Sequence, residues 1–149
     1  MAVTNNSYKP IIKYEGIEIS TGQVTNIGIT RTFYSKLPKP YGNCRSDVET
    51  PSTGDSVYYK YTVLLGKYTR NLCFEVCFQY KYAIAKCKCA DPSINSNVNS
   101  VTVCTYDNLP CLSERRQEFS SSNCEIECPE ACDRIDYSYR VSTSYYPTR

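Results

Sequence analysis

The sequence contains no histidine, no tryptophan and a single methionine in 149 residues. Without histidine there is no Ser–His or Cys–His pair for nucleophilic catalysis, no imidazole metal ligand and no imidazole switch near neutral pH. No stretch approaches the roughly 20 apolar residues that a membrane-spanning helix requires. Charge of either sign is also not in excess. Seventeen basic residues face fifteen acidic ones, a net charge of +2, which leaves no electrostatic footprint for nucleic acid. The opening Met1-Ala2-Val3-Thr4-Asn5-Asn6 has neither the basic region nor the apolar core of a secretory signal. With no nucleophile motif and no carboxylate pair on a credible cleft, the chain is not expected to be an enzyme.

What is abundant is cysteine, with ten residues, and tyrosine, with fifteen. Apolar residues make up 41% of the chain and charged ones 21%, the composition of a folded domain. A chain of this length is one domain, able to bury about 68–70% of its unfolded surface. Tyrosine in this number suits half-buried strands and wet contact surfaces. An even, high cysteine count implies an oxidised, extracellular setting. Zinc is the alternative, and the spacing argues against it. The close pairs are Cys73-x3-Cys77, Cys87-x-Cys89, Cys124-x3-Cys128 and Cys128-x3-Cys132, with no C-x2-C knuckle. No metal site and no cofactor are therefore expected. A disulfide domain with neither export signal nor membrane span reads as a piece of a longer chain, either a truncated gene model or an excised ectodomain.

Along the chain, residues 8–43 read as β structure. Ile17-Glu18-Ile19 alternates, Ser20-Thr21-Gly22 is turn chemistry, and Val24 to Tyr34 resumes with Ile27, Ile29 and Phe33 at even spacing. Leu37-Pro38-Lys39-Pro40-Tyr41-Gly42 must break the strand, because neither proline can donate to a ladder and Gly42 permits a sharp bend. Residues 45–67 are polar around Pro51-Ser52-Thr53-Gly54-Asp55 and read as a surface loop, with room for a short strand at Val57–Leu65. Tyr68 to Lys86 reads as a helix, since Cys73, Val76, Cys77, Tyr80, Ile84 and Cys87 recur at three- and four-residue steps. Residues 91–100 are loop composition. Residues 105–120 form a weaker helix, with Thr105 as N-cap and Cys111, Arg115 and Phe119 on one face. Ile135 to Ser142 alternates strictly and reads as a half-buried strand.

Ten cysteines allow roughly 945 pairings, and spacing prunes them. Cys73 and Cys77 stand one helical turn apart, and Cys124 and Cys128 repeat that spacing. If the two segments run antiparallel, Cys73 meets Cys128 and Cys77 meets Cys124, two rungs one turn apart. The same logic nests Cys87 with Cys111 and Cys89 with Cys104, and leaves Cys44 for Cys132. An extended 124–128 segment would set its cysteines about 13 Å apart, and the rungs would splay.

Leu37-Pro38-Lys39-Pro40-Tyr41-Gly42-Asn43-Cys44 resembles the LPxPYGxC turn of the degenerin/epithelial sodium channel family, which includes the acid-sensing ion channels. The cysteine pattern from Cys73 through Cys128-Pro129-Glu130-Ala131-Cys132 and the tail from Tyr137 to Tyr145-Tyr146-Pro147 are similar to the same family. The likeness extends over about residues 15–148. It implies an α+β fold, with antiparallel palm-type strands and a disulfide-stapled two-helix thumb. The expected divisions are 1–44 for palm strands and turn, 45–67 for a loop, 68–132 for the thumb, and 133–149 for a returning palm strand. The function implied is that of an extracellular palm and thumb fragment of an amiloride-sensitive, stimulus-gated sodium channel subunit at the plasma membrane. Two further subunits would complete a homo- or heterotrimer, with sodium as permeant ion and the membrane reached only through segments absent here. A secreted disulfide-rich binding or inhibitor module is the alternative.

In the family, the aromatic of this turn rests on the first membrane helix, so Pro40, Tyr41 and Gly42 are the expected gating contact. Glu114, Glu118, Glu125, Glu127, Glu130, Asp133 and Asp136 make the later part of the cysteine-rich region acidic. A solvated face is the preferred reading of that cluster over a proton sensor. Ser113 and Gln117 stand near the places where acid-sensing relatives carry thumb aspartates. Asn5-Asn6-Ser7 is a glycosylation sequon.

Overall fold

The computed structural model describes residues 16–94 and 101–145. The Asn5 sequon and the Tyr146-Pro147 ending lie outside the described residues.

Two long strands pair into an antiparallel ribbon, β1 (Gln23–Ser35) and β2 (Asp133–Tyr145), each of 13 residues. The register runs from Gln23 opposite Tyr145 to Ser35 opposite Asp133. Because side chains alternate across a strand, Ile27, Ile29 and Phe33 share a face with Val141, Tyr139 and Ile135. The opposite face carries Asn26, Thr30 and Thr32 against Ser142, Ser138 and Asp136. The ribbon thus has one apolar and one polar face. The expectation that Ile135–Ser142 is half-buried needs correction. Ile135 and Tyr137 are part-buried, whereas Tyr139 is 45% and Val141 42% exposed, because two strands alone cannot cover both sides of each other. Ile17-Glu18-Ile19 is likewise no strand. Its alternation survives only as burial of Ile17 and exposure of Ile19, ahead of a turn in which Gly22 takes φ +75°.

Between the strands lie the helices. The segment 45–67, read as a loop with a possible strand, contains helix α1 (Val57–Leu65). Its β-branched and aromatic residues favour strand locally, but burial decides otherwise: Tyr59 and Thr62, three residues apart, both turn inward. Ser56 caps the helix by accepting from the Tyr59 N–H at 3.1 Å, and its hydroxyl donates to the Glu127 carbonyl at 2.8 Å. Helix α2 (Arg70–Phe78) is capped by the Thr69 hydroxyl, which accepts from the Leu72 N–H at 3.2 Å. It continues as a π-helix, Gln79–Cys87, and ends at Lys88 with φ +60°. The expected helix over 68–86 is therefore present, with its second half wound more loosely. Helix α3 (Leu109–Glu118) follows a 3-10 turn, Tyr106–Asn108, where Asn108 Oδ1 accepts from the Thr105 N–H at 3.0 Å.

Five disulfides hold these pieces: Cys44–Cys132, Cys73–Cys128, Cys77–Cys124, Cys87–Cys111 and Cys89–Cys104. Residues 124–128 are not extended. Cys128 N–H donates to the Cys124 carbonyl at 3.0 Å, a helical turn that brings the two cysteines onto one side. The rungs to α2 therefore close with Cα separations of 5.7 and 6.5 Å. Around them Tyr59 and Tyr68 pack edge to face, ring centroids 5.0 Å apart. A second cluster joins Phe78, Ala83, Leu112 and the Cys89–Cys104 bond, with Phe119 and Tyr82 closing it.

Arg116 links α2 to α3. Its guanidinium pairs with Glu75 and with Asp91 at 2.8 and 3.2 Å and lies 3.5 Å from the centre of the Phe78 ring. No helix among the described residues is long and apolar enough to cross a membrane.

Candidate functional site: a clamped turn at the base of the ribbon

β1 ends where the sequence places Pro38 and Pro40. The chain folds back so that the N–H groups of Tyr41 and Gly42 both donate to the Pro38 carbonyl, at 3.1 and 3.2 Å. The Lys39–Pro40 peptide bond is cis. Gly42 is required by close approach, not by φ: a Cβ there would stand 2.3 Å from the Leu37 carbonyl oxygen. Gly42→Ala is therefore expected to destabilise the turn by about 1–3 kcal/mol, seen as a lower melting temperature and faster proteolysis within residues 37–44. At the tip, Tyr41 is 83% exposed and Leu37 beside it is 68% exposed, so the turn offers an apolar prow outward.

The base of the turn is held on three sides. Cys44 is bonded to Cys132, one residue before β2. Backbone hydrogen bonds lace the same place: Lys36 N–H to Cys132 O at 2.9 Å, Arg45 N–H to Glu130 O at 2.8 Å, and Cys132 N–H to Arg45 O at 3.0 Å. Across it, the Lys36 ammonium bonds Glu130, which also lies 4.0 Å from Arg134. Arg45 then carries the clamp toward α1. Its guanidinium donates to both oxygens of Asp55 at 2.9 and 2.8 Å and to the carbonyls of Asp47 and Thr50, and lies 5.1 Å from the Tyr59 ring centre.

These contacts favour the ionised carboxylates. The Ser52 N–H first, and Arg45 with it, hold Asp55 below the usual carboxylate range. The Thr50 hydroxyl does the same for Asp47, and the Lys36 ammonium for Glu130. A carboxylate with a lowered folded pKa contributes its full stabilisation above the unfolded value, about 4. That contribution is lost as pH falls through the lower folded value. The melting temperature of the chain is thus expected to stay level from neutrality to about pH 5 and to fall below about pH 4. Asp55→Asn should flatten the acid limb. A midpoint near pH 6 in calorimetric melts would contradict this.

Other sequence-selected residues fall as follows. The acidic set does not converge. Glu114 and Glu118 flank Arg115, Glu127 bonds Lys81 at 2.7 Å, Asp136 pairs with Arg134 at 3.2 Å, and Asp133 accepts from Ser35. Glu125 is exposed. This is a solvated, internally paired face. The sole cluster of possible metal ligands among the described residues, Cys77, Cys124 and Glu127, is built on a disulfide and offers no thiolate. Sequence reasoning missed the Arg45 clamp and the outward Leu37. The available signal was an arginine directly after Cys44 and facing an acidic loop, Asp47, Glu49 and Asp55. Above the clamp, the apolar face of the ribbon and residues 67–74 enclose a groove of about 1050 Å³, lined by Ile17, Ile29, Phe33, Tyr68, Phe74 and Tyr137 among others.

A disulfide-laddered helical unit set on an antiparallel ribbon, with a proline-rich turn tied between them, defines a disulfide-stapled α+β module. The whole chain, residues 1–149, matches the family model described as amiloride-sensitive sodium channel, and it belongs to that family. Degenerin del-1 of Caenorhabditis elegans is 30% identical over 138 residues, covering 89% of this chain and 20% of that protein. The epithelial sodium channel subunit gamma of Xenopus laevis is 28% identical over 145 residues, 93% of this chain and 21% of that protein. Degenerin-like protein asic-2 of C. elegans is 28% identical over 156 residues, 99% of this chain and 27% of that protein. The chain thus spans about a fifth to a quarter of the length of these relatives.

Proposed function

We propose that this chain acts as the extracellular palm and thumb portion of an amiloride-sensitive sodium channel subunit, carrying movement of the helical unit to the pore through the turn at Pro40-Tyr41-Gly42. It does not conduct on its own. Two further subunits complete the channel, sodium is the permeant ion, and the plasma membrane is engaged by segments outside this chain. Within that role, residues up to 44 supply the first strand and the turn, residues 45–132 the loops and helices including α1, and residues from 133 the returning strand.

The observation that carries this reading is an unbroken bonded path. The rungs Cys73–Cys128 and Cys77–Cys124 fix α2 to residues 124–128, and Cys128 stands four residues before Cys132. Cys132 is bonded to Cys44, and Cys44 closes the turn. A displacement of α2 has no flexible linker in which to dissipate before it reaches Tyr41. A packed element of this kind moves as a body instead of deforming continuously.

Family membership supports the ion-channel part of the proposal, and a chimera tests it. The matching stretch of the Xenopus laevis gamma subunit is replaced by this chain and expressed with the other subunits of that channel. An amiloride-blocked sodium current is expected at a surface density near that of the parent. Normal surface density with no such current would contradict the proposal.

A further inference from the structure

The five disulfides are not equally protected. Eight of the ten cysteines are buried, and those of the two α2 rungs are fully inaccessible. Only Cys87 and Cys111 are both part-exposed, and they form one bond. They also occupy opposite ends of helices. Cys87 is the last residue of the π-helix, and Cys111 sits in the first turn of α3. A thiolate is stabilised at a helix N-terminus and disfavoured at a C-terminus, so Cys111 is the better leaving group and Cys87 the sulfur to be attacked. Lys86 and Lys88 flank Cys87, both exposed, and draw an incoming thiolate anion to it.

We propose that Cys87–Cys111 is a thiol–disulfide exchange site, opened reversibly by a dithiol reductant while the other four bonds stay closed. The thiolate of the reductant attacks Cys87 Sγ. The Cys87–Cys111 bond breaks, a mixed disulfide forms at Cys87, and Cys111 departs as thiolate. The second thiol of the reductant then gives up its proton and attacks the mixed disulfide. Cys87 is released as thiolate and the reductant becomes a cyclic disulfide. Two electrons pass from reductant to protein. What is freed is the first turn of α3 from the end of the π-helix. Leu112 and Phe119 still pack in their cluster, and the Cys89–Cys104 bond still closes the loop before α3. The change is local loosening without unfolding.

The test uses the oxidised full chain. It is exposed to limiting dithiothreitol at neutral pH, quenched at intervals with iodoacetamide, then fully reduced and labelled with an isotopically heavy form of the same reagent. Cys87 and Cys111 are expected to take the first label at least about tenfold faster than any other cysteine. With a monothiol in place of dithiothreitol, the trapped adduct is expected on Cys87 and the free thiol on Cys111. The Cys87→Ala/Cys111→Ala double variant should lose the fast phase and keep the slow ones. If that variant does not fold, the order of labelling in the unaltered chain still decides. Another pair opening first, or all five opening together, overturns the proposal. An adduct on Cys111 overturns the assigned direction of attack.

Discussion

Replacing Tyr41 by alanine in a full-length subunit is expected to leave surface protein near its normal level and to remove most of the gated current. The first half follows from exposure. A side chain that is 83% exposed has little apolar area to lose, so truncation leaves the fold almost unchanged. The second half follows from the proposed role. A state change driven through the turn requires a contact whose free energy differs between the states, and Tyr41 supplies the flat apolar surface for it. Its backbone is already fixed: its N–H is bonded to Pro38 O, Gly42 follows without room for a Cβ, and the base of the turn is bonded to β2. Little ordering entropy is spent when it engages. Tyr41→Trp keeps the surface and should gate. Leu37→Ala, at the second exposed apolar position of the tip, should produce a weaker loss in the same direction.

Removing the Cys44–Cys132 bond by alanine at both positions is the second large effect. The bond closes a sequence separation of 88, the longest of the five. Its loss should cost about 2–4 kcal/mol of stability, because a long loop regains its freedom in the unfolded chain. The backbone bonds of Arg45 with Glu130 and Cys132 remain in the variant. The turn therefore stays in place at rest but is joined to β2 by non-covalent contacts alone, the backbone hydrogen bonds and the Lys36–Glu130–Arg134 charges. The four other disulfides keep the helical unit folded. The expected pattern is a lower melting temperature, surviving helical circular dichroism and reduced gated current per surface subunit. A variant that gates normally after a clear fall in stability would show that the covalent tether serves folding alone.

Much of this was legible in the sequence, and the reasons differ from element to element. The 73/77 and 124/128 spacings are a property of the chain itself, and two antiparallel segments with one-turn spacing meet rung for rung. Strict alternation from Ile135 gave β2, and two prolines with Gly42 gave the turn. Helix α1 was not legible, because Val57, Tyr58, Tyr59, Tyr61, Thr62 and Val63 all favour strand. Only the burial of Tyr59 and Thr62 against the disulfide core makes them helical. The π-helical half of the long helix was equally hidden, since spacings of three and four residues do not separate α from π winding over nine residues. The Arg45 clamp depends on residues ten and fourteen positions away folding back, which no local pattern encodes. Alternation in β2 reported which side chains share a face but not whether anything covers that face. Val141 and Tyr139 are therefore exposed where a half-buried strand was expected.

The central claim is that Tyr41 and the Cys44–Cys132 tether act on one route from the helical unit to the pore. The measurement that bears on it most directly is gated current per surface subunit for four full-length forms: unaltered, Tyr41→Ala, Cys44→Ala/Cys132→Ala, and all three changes together. If both act on one route, the effects do not add, and the combined form gates no worse than the more impaired of its parents. Losses that simply multiply would place the two on separate routes, and normal gating by Tyr41→Ala at normal surface density would contradict the claim outright.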